Sequence, residues 1–100
     1  MHQKYDFSND KYLIKAPDSG RDITYEGQAL HHCVSGYVSW VADQKTVILF
    51  LRKQKEPNKP FVTIEVRNNK IIQVRGFSNH NPEPEVLDFV EEFKSEKLIA

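Results

Sequence analysis

Thr46-Val-Ile-Leu-Phe-Leu51, Phe61-Val-Thr-Ile-Glu-Val66 and Ile71-Ile-Gln-Val-Arg75 are the three runs that most clearly announce a sheet. The first is apolar at successive positions, so both of its faces need cover, which places it centrally in a sheet buried on two sides. The second and third alternate apolar with polar residues, as half-buried strands do. Glu56-Pro-Asn-Lys-Pro60 is turn chemistry, and Asn68-Asn69 joins the last two strands. A two-residue loop there would set Glu65 against Ile72 and Ile64 against Gln73, mixing the faces. A three-residue loop with Asn69 left-handed pairs Ile64 with Ile72, Val62 with Val74 and Thr63 with Gln73. The bulged loop is therefore the expectation. It makes one face Val62, Ile64, Ile72 and Val74, and the other Thr63, Glu65, Gln73 and Arg75.

Working outward toward the N-terminus, Tyr12-Leu-Ile-Lys-Ala16 reads as a short strand stopped by Pro17, with Asp18-Ser-Gly20 as a turn. Asp22 is the expected N-cap of a helix on which Ile23, Ala29, Leu30, Cys33 and Val34 share an apolar stripe. Gly27 inside that helix costs about 1 kcal/mol relative to alanine, which suits close backbone approach to the sheet. Ser35-Gly36 breaks the helix, and Tyr37-Val-Ser-Trp-Val41 adds a further turn or two. Residues 1–10 carry no period and read as a loose lead-in. Toward the C-terminus, Asn81 is the expected cap of a last helix with Pro82 and Pro84 in its first turn. Val86, Val90, Phe93 and Lys97, with Leu87, Phe89 and Leu98 nearby, form its stripe, which should pack on the Val62, Ile64, Ile72, Val74 face. The expected fold is α+β: a mainly antiparallel sheet of three to four strands, an N-terminal helix pair and a C-terminal helix, forming one domain over 11–100.

Composition narrows the function classes. With 39% hydrophobic and 28% charged residues the chain is of ordinary globular type. Its 14 Lys+Arg offset its 14 Asp+Glu, so no overall field draws it to nucleic acid or acidic lipid. The apolar run Val47 to Leu51 is far short of the ~20 residues of a membrane helix. A single cysteine and a polar N-terminus without a secretory stretch point to a reducing, cytoplasmic setting.

The densest chemistry lies in Glu26-Gly-Gln-Ala-Leu-His-His-Cys-Val-Ser-Gly-Tyr37. Cys33 is read as a buried structural thiol ahead of a nucleophile. Successive helix positions diverge by about 100°, so His31 and His32 are poorly placed as its base, and a helix C-terminus disfavours thiolate. Three adjacent donors do not have the spacing of a structural zinc site, so no metal or cofactor is called for. The Thr63, Glu65, Gln73, Arg75 face has two readings: a solvated sheet surface with a cross-strand ion pair, or the floor of a cleft beneath residues 30–37. In the second, Glu65 is acid or base, Arg75 binds an anion, His31, His32 and Tyr37 hydrogen-bond or move protons, and Arg52 and Asn79 reach the rim. A phosphate-bearing ligand suits Arg75. Arg52, Lys53, Lys55, Lys59, Arg67 and Lys70 would gather at the hairpin ends as a modest basic patch, giving weak, salt-dependent nucleic-acid binding at most.

Taken in order, Glu26-Gly27, Leu30-His-His-Cys-Val-Ser-Gly-Tyr37, Lys45-Thr-Val-Ile-Leu49, Arg52, Pro60-Phe-Val-Thr-Ile-Glu65, Ile72-Gln-Val-Arg-Gly76 and Asn79 resemble the PcfJ-like family over about residues 12 to 95. The ordered combination is more specific than any one piece. The family's order of cysteine, valine and glycine appears here as Cys33-Val34-Ser35-Gly36, with glycine one place later. The resemblance implies a protein of conjugative plasmids, phages or other mobile elements, with this chain matching the C-terminal part of a longer one. It transfers no activity. An accessory binding module of a mobile-element protein is therefore the leading expectation, partnered by an upstream domain or another mobile-element protein. An enzyme acting on a nucleotide or nucleic acid through His32, Glu65 and Arg75 is the alternative. A domain that needs its upstream region to act is a third.

Overall fold

The strand Val47–Lys53 is the middle of the sheet, as its two-faced apolarity demands: residues 48 to 52 are all buried. The computed structural model describes residues 2–30 and 46–98. Within them β1 (Phe7–Ser8), β2 (Tyr12–Lys15), β3 (Val47–Lys53), β4 (Val62–Arg67) and β5 (Lys70–Arg75) form one antiparallel sheet in sequence order. The helices are α1 (Gly20–Leu30) and α2 (Pro84–Lys97), with short 3-10 turns at His2–Tyr5 and Phe77–Asn79.

Five strands replace the expected three to four, because the lead-in supplies β1. Two residues are too few to show a period, so composition hides them. Their hairpin is made by Asn9, whose Oδ1 accepts the backbone N–H of Lys11 at 2.9 Å and of Tyr12 at 2.8 Å. Phe7 then lies 5.3 Å from Phe89 and 6.0 Å from Phe93, ring centre to ring centre. The second half of the expected N-terminal helix pair, residues 37–41, lies outside the described residues.

Alternation sends Tyr12, Ile14, Leu49, Leu51, Val62, Ile64, Val66 and Val74 to one face, where Val86, Phe89, Val90 and Phe93 of α2 cover them as the main core. Leu87 is 39% exposed and flanks that stripe. Pro84 occupies the first turn of α2, where a missing amide donor is harmless. The cap is Glu83, whose carbonyl accepts from Val86 and Leu87; the expected cap, Asn81, instead accepts a hydrogen bond from Arg75. At α1 the helix starts two residues before the expected cap. Ser19 Oγ receives the Asp22 N–H at 3.4 Å, and the Asp22 carboxylate takes the Asp18 N–H at 3.0 Å.

The β4–β5 register corrects the expected one. Asn68 (φ 53°) and Asn69 (φ 61°) both adopt the left-handed conformation, as a tight two-residue hairpin turn requires, so Arg67 faces Lys70 and Val66 faces Ile71. A bulge then restores the sorting of faces: Glu65 pairs with Gln73, Ile64 with Val74 and Thr63 with Arg75. The extra residue lies inside β5 instead of in the loop. Ile72 is that residue, and at 48% exposed it leaves the core face expected for it.

Candidate functional site

On the second face of the sheet, Ile48, Phe50 and Arg52 of β3 stand beside Thr63 and Glu65 of β4, and all five are buried. This face is therefore no solvated surface. α1 lies on it through Ile23, Glu26, Gly27 and Leu30, four positions at the i, i+3, i+4, i+7 spacing of one helix stripe. Glu26 is fully buried. Arg52, 4% exposed, donates Nη1 to Glu26 Oε2 at 2.7 Å and Nη2 to Oε1 at 2.6 Å, a bidentate pair. Thr63 Oγ1 adds a 3.5 Å contact to Oε2, and the guanidinium stacks 4.7 Å above the Phe50 ring. Burial pushes the Glu26 carboxyl above the usual glutamate range, while Arg52, Thr63 and Lys15 pull against that shift without cancelling it.

A cleft of about 360 Å³ opens beside this pair. Its walls include Asp18, Asp22, Tyr25 and Glu26 on one side and Phe50 and Arg52 on the other. Tyr25 is 61% exposed at its edge. Because Glu26 and Arg52 neutralise each other, the remaining charge there belongs to the rim carboxylates and Lys15.

Glu65 forms a separate cluster. Its carboxylate, 1% exposed, accepts from Thr46 Oγ1 at 2.7 Å, Arg67 Nη2 at 2.7 Å and Gln73 Nε2 at 3.0 Å. Arg75 turns away, donating Nη1 to the Val74 carbonyl at 2.9 Å and to Asn81 Oδ1 at 3.2 Å. Of the expected site residues, Arg52 and Thr63 thus converge on Glu26, Glu65 and Gln73 on each other, and Arg75 on neither group. Asn79 lies in the 3-10 turn after β5. His31, His32 and Tyr37, with Cys33, lie outside the described residues, as does the expected cleft wall that they would form. The expected basic patch divides: Arg52 is buried, Lys53, Lys55 and Lys59 lie at the β3–β4 turn, and Arg67 and Lys70 at the opposite end of the sheet. Among the described residues no group of three His, Cys, Asp or Glu could hold a metal ion, and no helix is long and apolar enough to cross a membrane.

Glu26 and Thr46 have no role in the expected site, and Arg67 has one only in the expected basic patch. For Glu26 a signal existed: a carboxylate inside a helical apolar stripe needs a buried cation, and Arg52 closing an apolar strand supplies one. Thr46 and Arg67 carried no such mark.

The family profile described as PcfJ-like protein matches residues 2–90. The uncharacterised Lin1253/Lin1744 protein of Listeria innocua is 39% identical over 77 residues, 75% of this chain. The chain spans 17% of that relative's length. No solved structure matches.

Proposed function

This chain is a member of the PcfJ-like family, and from that membership we propose that it is a cytoplasmic binding module of a longer mobile-element protein, receiving its ligand beside Glu26 and Arg52. The observation that carries this reading is the cleft of about 360 Å³ with a rigid ionic floor, within the size range of small-molecule sites. A bidentate pair fixes that floor on both α1 and β3, and rigid support is what a recognition surface needs. The partners of Glu65 speak for a module over the competing enzyme built on His32, Glu65 and Arg75. Its carboxylate oxygens are taken up by Thr46, Arg67 and Gln73 while Arg75 bonds to Asn81, so Glu65 and Arg75 do not converge on one open cavity.

The test is a thermal-shift screen of the chain against nucleotides, amino acids, and acidic and basic peptides. At least one class should raise Tm in a saturable way, and Tyr25→Ala, at an exposed cleft position, should remove that rise while leaving the unliganded Tm unchanged within about 2 °C. A Tm indifferent to every class, or a rise that survives Tyr25→Ala, rejects the cleft as the binding site.

A further inference from the structure

The charges around the cleft do not balance. Asp6, Asp18 and Asp22 stand on its walls with one cation, Lys15, because the Glu26–Arg52 pair is neutral as a whole. Three acids less one base leave two negative charges among the described residues. Asp22 lies in the first turn of α1, and the positive end of a helix returns roughly half a charge, too little to reverse the sign. Asp22 gives Oδ2 to the Asp18 N–H, but among the described residues no group holds the carboxylate of Asp6 or of Asp18. Unpaired carboxylates on the walls of a cavity draw a cation toward it.

That cation is not a metal ion, since among the described residues no group of three His, Cys, Asp or Glu could hold one. The acids are spread around a space of about 360 Å³, which suits an extended organic cation better than a point charge. Tyr25, 61% exposed at the edge, adds a phenol ring that such a cation can lie against. Arg52 makes an independent demand. It lines the cleft, is 4% exposed, and its third nitrogen, Nε, is enclosed without a hydrogen-bond partner. A buried N–H without an acceptor is costly, and an oxygen carried beside the incoming cation would supply one.

We infer that the cleft takes an alkyl guanidinium or ammonium group borne next to a carbonyl or carboxylate oxygen, the chemistry of arginine or lysine, free or within a peptide. This names the ligand class of the binding reading above and rests on it. The rim carboxylates and Tyr25 meet the cation, and its neighbouring oxygen accepts from Arg52 Nε.

Thermal-shift titrations of the whole chain at low ionic strength test it. N-acetyl-arginine methylamide should raise Tm in a saturable way, and N-acetyl-glutamate methylamide should not. Propylguanidinium, which has the cation without the oxygen, should bind on the order of tenfold more weakly. Asp6→Asn with Asp18→Asn removes two charges from side chains that hold nothing, and should weaken the arginine probe on the order of tenfold. Lys15→Gln should strengthen it several-fold, an opposite sign that a change in stability does not produce. Free arginine and a capped arginine tripeptide separate the two sources, the tighter binder naming which one the cleft serves. An arginine probe indifferent to the aspartate substitutions, or weakened by Lys15→Gln, overturns the inference. A nucleotide or acidic peptide that raises Tm through Tyr25 while the arginine probe has no effect overturns the cationic class and leaves the cleft a binding site. A Tm indifferent to every probe and every class rejects both.

Discussion

Glu65 and Arg75 sit on the same face of neighbouring strands, yet they answer to different surroundings, and substitution should separate them. Glu65→Gln keeps the shape and removes the charge that three donors share in a buried position, so a loss of about 1–3 kcal/mol is expected in urea denaturation. Arg75→Ala removes partly exposed hydrogen bonds and should cost no more than about 1 kcal/mol. Equal effects would mean that the Glu65 cluster is not the closed network its distances describe. Ile72 gives a second contrast. Ile72→Thr should shift stability by no more than about 0.5 kcal/mol, since the bulge leaves this side chain half exposed. A core partner of Ile64, the position expected from the alternation, would cost several times more on the same substitution.

At the scale of elements, α2 is fastened to β2 by a polar clasp as well as by its apolar stripe. The Tyr12 hydroxyl donates to Glu85 Oε1 at 2.5 Å, and Lys11 Nζ lies 3.0 Å from Oε2. The hydrogen bond from Tyr12, then that from Lys11, holds the Glu85 carboxyl below the usual glutamate range, while the same bond to Glu85 pushes the Tyr12 phenol up to about 12. The signs follow by linkage. Glu85 is depressed in the folded state, so its contribution is present above the ordinary glutamate value and fades as pH falls through the folded one. Tyr12 is raised, so its contribution is whole below the ordinary tyrosine value and is lost as pH climbs through about 12. Tyr12→Phe should flatten both limbs of a Tm-against-pH curve; a curve unchanged in shape would show that the clasp contributes nothing. The register of β4 and β5 belongs to this scale too. Alternation made clear that polar and apolar residues must part to opposite faces, but it allowed the extra residue to sit in the turn or in the strand. Two successive left-handed asparagines took the turn, and the bulge moved to Ile72.

Over the whole molecule, the sheet separates two unlike layers, an aromatic and aliphatic core beneath α2 and an ion-paired one beneath α1. The N-terminal segment closes the first of these. Removal of residues 1–10 takes away Phe7 and the partly buried Tyr5 and should cost about 2–5 kcal/mol, measured as a lowered urea midpoint. An unchanged midpoint would return the segment to the status of a loose lead-in. Much of this architecture was legible: β3 at the centre, the stripe of α2, and the partition of β4 into an apolar and a polar face. The polar layer was not, because local alternation reports which side chains share a face and is silent on what covers that face. Thr63 and Glu65 read equally well as solvated residues until α1 and neighbouring strands are seen to enclose them.

The amino-acid order was enough for β2 to β5, for the two helices and for their apolar faces apart from Ile72, since these follow from periodicities of two and of 3.6 residues that hold wherever a segment packs, whereas the two residues of β1 are too few to show a period. Tertiary structure alone decided the company kept by the polar groups: Glu26 with Arg52, Glu65 with Thr46, Arg67 and Gln73, Arg75 with Asn81. The physical reason is that a buried charge takes whichever opposite group the docking of two distant segments brings within hydrogen-bonding reach, and 26 positions of sequence separate Glu26 from Arg52.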